Sequence, residues 1–130
     1  MNAPSEDVKD MLLAESSFDL TFAKNLFINK EPDKPDSAVT IFDGYGYPPQ
    51  LTMDGAVYEY PAVQIRVRGN DQRVAWSLAN EIYLSLHGRA HETWNGALYE
   101  VVYCTGNPTL LDWDDNSRVR FIINVNLQRR

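Results

Sequence analysis

The side chains in this sequence best suited to chemistry are arginines that alternate with apolar residues. In PAVQIRVRGND, residues 61–71, Val63, Ile65 and Val67 point one way along an extended chain, and Gln64, Arg66 and Arg68 point the other. The run at 118–128 repeats the pattern. Arg118, Arg120, Asn124, Asn126 and Gln128 oppose Val119, Phe121, Ile123, Val125 and Leu127, and Ile122 is the exception. A guanidinium recognises carboxylate or phosphate through paired hydrogen bonds. The net charge of −6 argues against a nucleic-acid binder held by phosphate contacts. Carboxylates are the better partners. Residues 1–60 carry eleven acids against four lysines, and residues 61–130 carry seven acids against eight arginines. An acidic half and an arginine-bearing half could meet across a subunit boundary. Two separately solvated surfaces are the plainer alternative.

Other reactive groups do not converge. His87 and His91 are four apart, a metal-binding spacing on a helix, but Gly88 between them ends the helix. GYGYPP resembles a phosphate-binding loop only in its glycines, because proline removes backbone donors and no helix N-terminus follows. The Pro-Asp pairs at 32–33 and 35–36 would suit a nuclease only with a later lysine, and none follows Lys34. Asp112, Asp114 and Asp115 read as a solvated hairpin turn. Cys104, the single cysteine, excludes an intramolecular disulfide and sits in a strand-like run, where a buried thiol is the default. The reading is a protein with no catalytic residues, no metal and no cofactor.

Residues 43–61 hold three glycines, three prolines and four of the seven tyrosines, with no core periodicity. They read as a long loop, with a small turn at Asp54-Gly55. Its rings Tyr45, Tyr47, Tyr58 and Tyr60 suit either a contact surface or a loop folded back on itself.

The elements that must position these groups follow from periodicity. Residues 5–15 form a short helix with Ser5 as its cap and Val8, Met11 and Leu12 on one side. Residues 20–28 and 38–42 are strands, joined by the exposed charged loop 29–37. The strand at 62–68 enters a helix at Asp71, whose stripe comprises Val74, Ala75, Leu78, Ala79, Ile82, Tyr83 and Leu86. Asn95-Gly96 makes a hairpin, and a polar turn at 114–117 makes a second. One domain over 1–130 results. Its class is α+β (mixed α/β): one twisted, mostly antiparallel sheet with an N-terminal helix and a central amphipathic helix on one face. No apolar run reaches transmembrane length, and the first ten residues lack the pattern of a signal peptide, so a cytoplasmic folding compartment is expected.

YPAVQIRVRGNDQRVAWSLANEIYLSLHG followed by WNG, then YCTGNPTLLDWDDNSRVRFIINVNLQ, resembles the tailed-bacteriophage minor capsid and tail terminator (tail completion) family. The shared pattern is Val63 to Gly69, then Ala75, Ala79, Ile82 and the LHG at 86–88, then Trp94-Asn95-Gly96 and a long final strand. The resemblance covers residues 60 to 128 and, more loosely, the first helix. It implies a structural virion protein at the neck, made in the host cytoplasm. Its copies would form a ring, commonly a hexamer, that caps the tail tube and meets the head connector or stopper, while genomic DNA passes through without specific binding. The arginine face (Arg66, Arg68, Arg118, Arg120) and the four tyrosines of 43–61 are then the expected contacts with a neighbouring subunit or the tube. A head-completion or stopper protein is the near alternative. A small α+β ligand-binding domain or enzyme is the distant one, and it would need a pocket with convergent polar groups.

Overall fold

The strict alternation of residues 119–127 makes the strand that organises the molecule. The computed structural model describes residues 2–51 and 57–130, with the backbone alone at residues 45, 49–51 and 57. Two helices, α1 (Pro4–Leu13) and α2 (Gln72–Leu86), accompany β1 (Leu26–Ile28), β2 (Ala38–Leu51), β3 (Val57–Gly69), β4 (Arg89–Trp94), β5 (Ala97–Cys104), β6 (Thr109–Trp113) and β7 (Val119–Arg129). The sheet order is β1-β2-β3-β7-β5-β4, and β6 also pairs with β7. β7 is antiparallel to β3 along its whole length. Its other edge is divided between β6, from Val119 to Ile122, and β5, from Val125 to Arg129. Among the strand pairs of the described residues, β1 and β2 are the parallel one.

Val119, Phe121, Ile123, Val125 and Leu127 are all buried, with Val63, Ile65 and Val67 beside them on β3. Ala75, Ala79, Ile82 and Leu86 of α2 and Val8, Met11 and Leu12 of α1 complete one core. Each such Leu or Ile contributes about 1.5–3 kcal/mol by leaving water. Val74, expected on the stripe, is instead 66% exposed, because the helix centres its buried face one residue further round. Asp71 caps α2, accepting from the backbone N–H of Arg73 and Val74. Gly88 follows its end with φ 91°, a conformation that glycine adopts without steric cost. Asn95 and Gly96 take φ 51° and 83° in the expected hairpin turn. Cys104 is buried, and that burial pushes its thiol pKa up to about 11.

Three expectations are corrected. Ser5 does not cap α1. It lies inside the first turn, and its backbone N–H and Oγ both donate to Asp43 of β2, at 3.0 and 2.7 Å. The helix start is therefore closed by a carboxylate 38 residues away. The strand at 20–28 shrinks to Leu26–Ile28, because Asn25 folds 21–25 into a turn: its Oδ1 accepts from Thr21 N and its Nδ2 donates to Asp19 O. The loop at 43–61 is mostly sheet. β2 continues to Leu51 and β3 starts at Val57, making an arm that extends the antiparallel pair. Prolines fit because the register skips Pro48 and Pro49, and β1 pairs β2 only from Val39 to Ile41, so the outer edge beyond needs no donors. The Asp54-Gly55 turn lies outside the described residues.

Candidate functional site

The parallel pairing of β1 and β2 determines how the arginines are used. Parallel neighbours need a connection that returns along the strands. The return here is the segment 29–37, which carries Glu31, Asp33 and Asp36. The helices occupy one face of the sheet. The return segment meets the arginines of the other.

The expected shared face exists. Arg68 is opposite Arg120, and Arg66 opposite Ile122, on adjacent strands. Arg68, only 4% exposed, donates to Glu31 at 3.1 Å and to the carbonyls of Pro35 at 2.6 Å and Asp36 at 3.1 Å. Arg118, equally buried, donates to Asp114 at 2.8 Å, to the Asp33 carboxylate at 3.0 Å and to the Asp33 carbonyl. Arg120 holds Asp112 through Nε at 2.7 Å and reaches Glu31 at 3.5 Å. Arg66 lies 3.7 Å from Glu31 and stacks on the Phe42 ring at 4.6 Å. The acidic and arginine-bearing halves thus meet within one chain. Glu31, which joins three of the four arginines, was not singled out from the sequence; the charge asymmetry was its only trace. Beyond this clasp the face is open and mildly polar, with Asn124 and Tyr103 exposed and Gln64, Ile122 and Asn126 half-buried.

The clasp depends on ionised carboxylates. The Arg120 guanidinium holds Asp112 below the usual carboxylate range. Burial raises Asp114, but hydrogen bonds from Arg118 outweigh it and leave its pKa lowered. Lys34, then Asn70, lowers Asp36. A carboxylate whose pKa is depressed on folding stabilises above its unfolded pKa, and that stability disappears as pH falls through the folded value. Stability is therefore expected to fall below about pH 4. An Asp112→Asn variant should be weaker at neutral pH and lose less on acidification; an unchanged acid slope in urea titrations would count against the clasp.

The tyrosines divide differently. Tyr47 projects from β2 with 73% of its surface exposed, and Tyr60 pairs with it across the arm. Tyr58 accepts a hydrogen bond from Arg130 at 3.1 Å and has that guanidinium over its ring. Tyr45 is placed on β2 by its backbone.

At the arm's base lies a buried polar knot that the sequence did not disclose. Asp7, fully buried on α1, accepts from Tyr99 Oη, from Asn95 at 2.6 Å and from Arg129 at 3.4 Å. Arg129 also donates to Glu59 at 2.8 Å and to the Asn2 carbonyl at 3.0 Å. Burial and the bond to Asp7 push the Tyr99 pKa well above its ordinary value.

Among the described residues no three His, Cys, Asp or Glu side chains are grouped to hold a metal ion. His87 is engaged, its Nδ1 accepting from Cys104 N at 2.9 Å. An apolar cleft of about 210 Å³ opens between Phe18, Leu20, Val74 and Leu78. It is smaller than a typical ligand site, roughly 300–1,000 Å³. Its charged side chains, Arg68 and Asp71, are already bonded to their own chain.

A family model described as bacteriophage tail terminator protein matches residues 7–129. Among solved structures, a chain from the virion of a native gene transfer agent particle is similar over 98% of this chain and 94% of its own, with 11% identity and a TM-score of 0.69. A second solved chain is similar over 98% and 91%, with 13% identity and a TM-score of 0.56. At these identities the likeness is one of fold. No curated protein matches the sequence significantly.

Proposed function

Because the chain belongs to the bacteriophage tail terminator family and is a structural, tail-associated virion protein, we propose that its copies form a ring, a hexamer in the simplest case, that caps the tail tube at the neck. The match over residues 7–129 carries this reading, since it runs from within α1 to the last residue of β7. The role needs no catalysis: the ring stops elongation by covering the tube's last layer and offers its opposite surface to the head connector or stopper. Before assembly the chain resides in the host cytoplasm.

The contact surfaces are the tyrosine arm and the open part of the arginine face, with Arg66 and Arg120 at its border. Arg68 and Arg118 serve that face from beneath by fixing the 29–37 segment. Guanidinium groups already paired with carboxylates offer little grip to phosphate, which suits a passage that DNA must traverse without arrest.

The test is to add purified protein to growing tail tubes, then follow tube length by electron microscopy and composition by native mass spectrometry. Tubes of fixed length, with one end holding a constant number of copies, are expected. Tubes that continue to grow, with no copies at their ends, would overturn the role.

A further inference from the structure

Among the described residues, seven of the eight arginines pair with a carboxylate of their own chain. Arg73 is the exception. It and Glu81 are the two charged residues of α2, and the Glu81 carboxylate likewise has no partner among the described residues. Both side chains are exposed. Ser77 stands midway between them, so the three form one ridge of i, i+4 neighbours on the solvent side of the helix, away from Ala75, Ala79 and Ile82 in the core.

The surface beside this ridge is concave and apolar. Arg73, Val74, Ser77, Leu78 and Glu81 line one shallow depression. Val74 and Leu78 also wall the apolar cleft that holds Phe18 and Leu20. Glu81 and Leu84 line a third hollow with Phe18 and Glu15. Because each hollow shares residues with the next, they form one groove along α2. Val74 and Leu84 stand in it 66% and 65% exposed. Its basic end is Arg73, where the neighbouring Asp71 carboxylate is spent on the helix cap. Its acidic end is Glu81, beside a Glu15 already bonded to Arg89.

We propose that this face of α2 binds the same face of a second copy, with the two helices antiparallel about a two-fold axis at Ser77. Charge selects the occupant. The groove presents a cation and an anion about 12 Å apart along the helix, at about 1.5 Å per residue, and the same helix reversed presents the matching pair. Arg73 of each copy meets Glu81 of the other, completing the ion pair that each lacks within its own chain. The small Ser77 lets the helices approach closely at the axis. In this register Leu84, three residues past Glu81, comes over Asn70, three residues before Arg73, at the edge of the other copy's apolar cleft. The contact is isologous and joins two copies only, so it is separate from the heterologous contact that a ring requires. It makes the free chain a dimer in solution and does not depend on the terminator role.

Arg73→Glu and Glu81→Arg test it, each first shown to melt near the wild type, as expected for exposed positions. Sedimentation equilibrium and native mass spectrometry should show the wild-type chain as a dimer at micromolar concentration. Each single variant sets like charges opposite one another at both ends of the contact, and should dimerise at least about tenfold more weakly. Mixed one to one, the two variants should form a 1:1 heterodimer, because every acid then faces a base. A chain carrying both Arg73→Glu and Glu81→Arg should dimerise like the wild type, since the exchanged pairs remain complementary. A monomeric wild type overturns the inference. So does a dimer that either single variant leaves unchanged, or a doubly exchanged chain that stays monomeric. If a tail or connector protein is the true occupant of the groove, the wild type is monomeric and Arg73→Glu loses that protein instead. Tube capping is read separately: its failure removes the terminator role and leaves the dimer standing.

Discussion

Replacing Asp7 by alanine is expected to cost about 3–5 kcal/mol, the usual effect of removing one partner from a buried ion pair. Asp7 has no exposed surface and is the common acceptor for Asn95, Tyr99 and Arg129. Its loss leaves a nearly buried guanidinium with Glu59 as its remaining carboxylate. It also leaves a phenol without its acceptor and leaves the bond from Asn95 to Asp10, at 2.8 Å, to tie α1 to the β4–β5 hairpin. In a domain of this size the melting temperature should fall by roughly 10–20 °C. The ion pair's own worth is smaller than that loss. A double variant, Asp7→Leu with Arg129→Met, should recover part of that loss, because no guanidinium is left buried without its carboxylate, while the Tyr99 hydroxyl still lacks a partner. Urea unfolding of the two single variants and the double variant checks both statements. A loss under about 1 kcal/mol for Asp7→Ala would mean that the knot is not closed in solution.

Replacing Gly46 by alanine should leave the core folded and abolish assembly. A Cβ at Gly46 would lie 1.9 Å from the Tyr60 carbonyl oxygen and 2.8 Å from Pro61 Cα. Both are backbone atoms of the paired strand, so no rotamer change relieves the contact. The strands must part, and the pairings of Tyr47 with Tyr60 and Gln50 with Tyr58 go with them. Below Gly44 the ladder is backed by β7 and both helices, so global stability should change by about 1 kcal/mol or less. Hydrogen exchange should show lost protection at 58–60, and copies per tube end should fall at least about tenfold. Normal capping by a chain whose arm amides exchange freely would show that the arm takes no part.

Local chemistry in the sequence foretold α2, from its Asp71 cap to Gly88, the Asn95-Gly96 hairpin, and the inward face of β7. Each depends on residues a few positions apart. The missed features depend on distant partners. Ser5 looks like a cap until Asp43 arrives from β2. Glycines and prolines at 44–49 look like a loop because sequence alone does not say which edge of a strand stays unpaired. The arginine face was legible as a face, with its residues and its separation from the core. Its partners were not, because charge asymmetry along a chain does not distinguish acids brought over by the chain's own return segment from acids on another subunit.

The division of one edge of β7 between β5 and β6 has a consequence for biosynthesis. Without β7, the β1-β2-β3 unit and the β4-β5 hairpin share no strand neighbour, and β6 has none. Residues 119–129 must leave the ribosome before the sheet can form, so the chain acquires its fold late, through contacts of long sequence separation. A chain that stops short of β7 presents open strands for proteolysis and never the finished surfaces. On the tail-terminator reading, a polypeptide that lacks β7 is therefore expected to be left out of the virion.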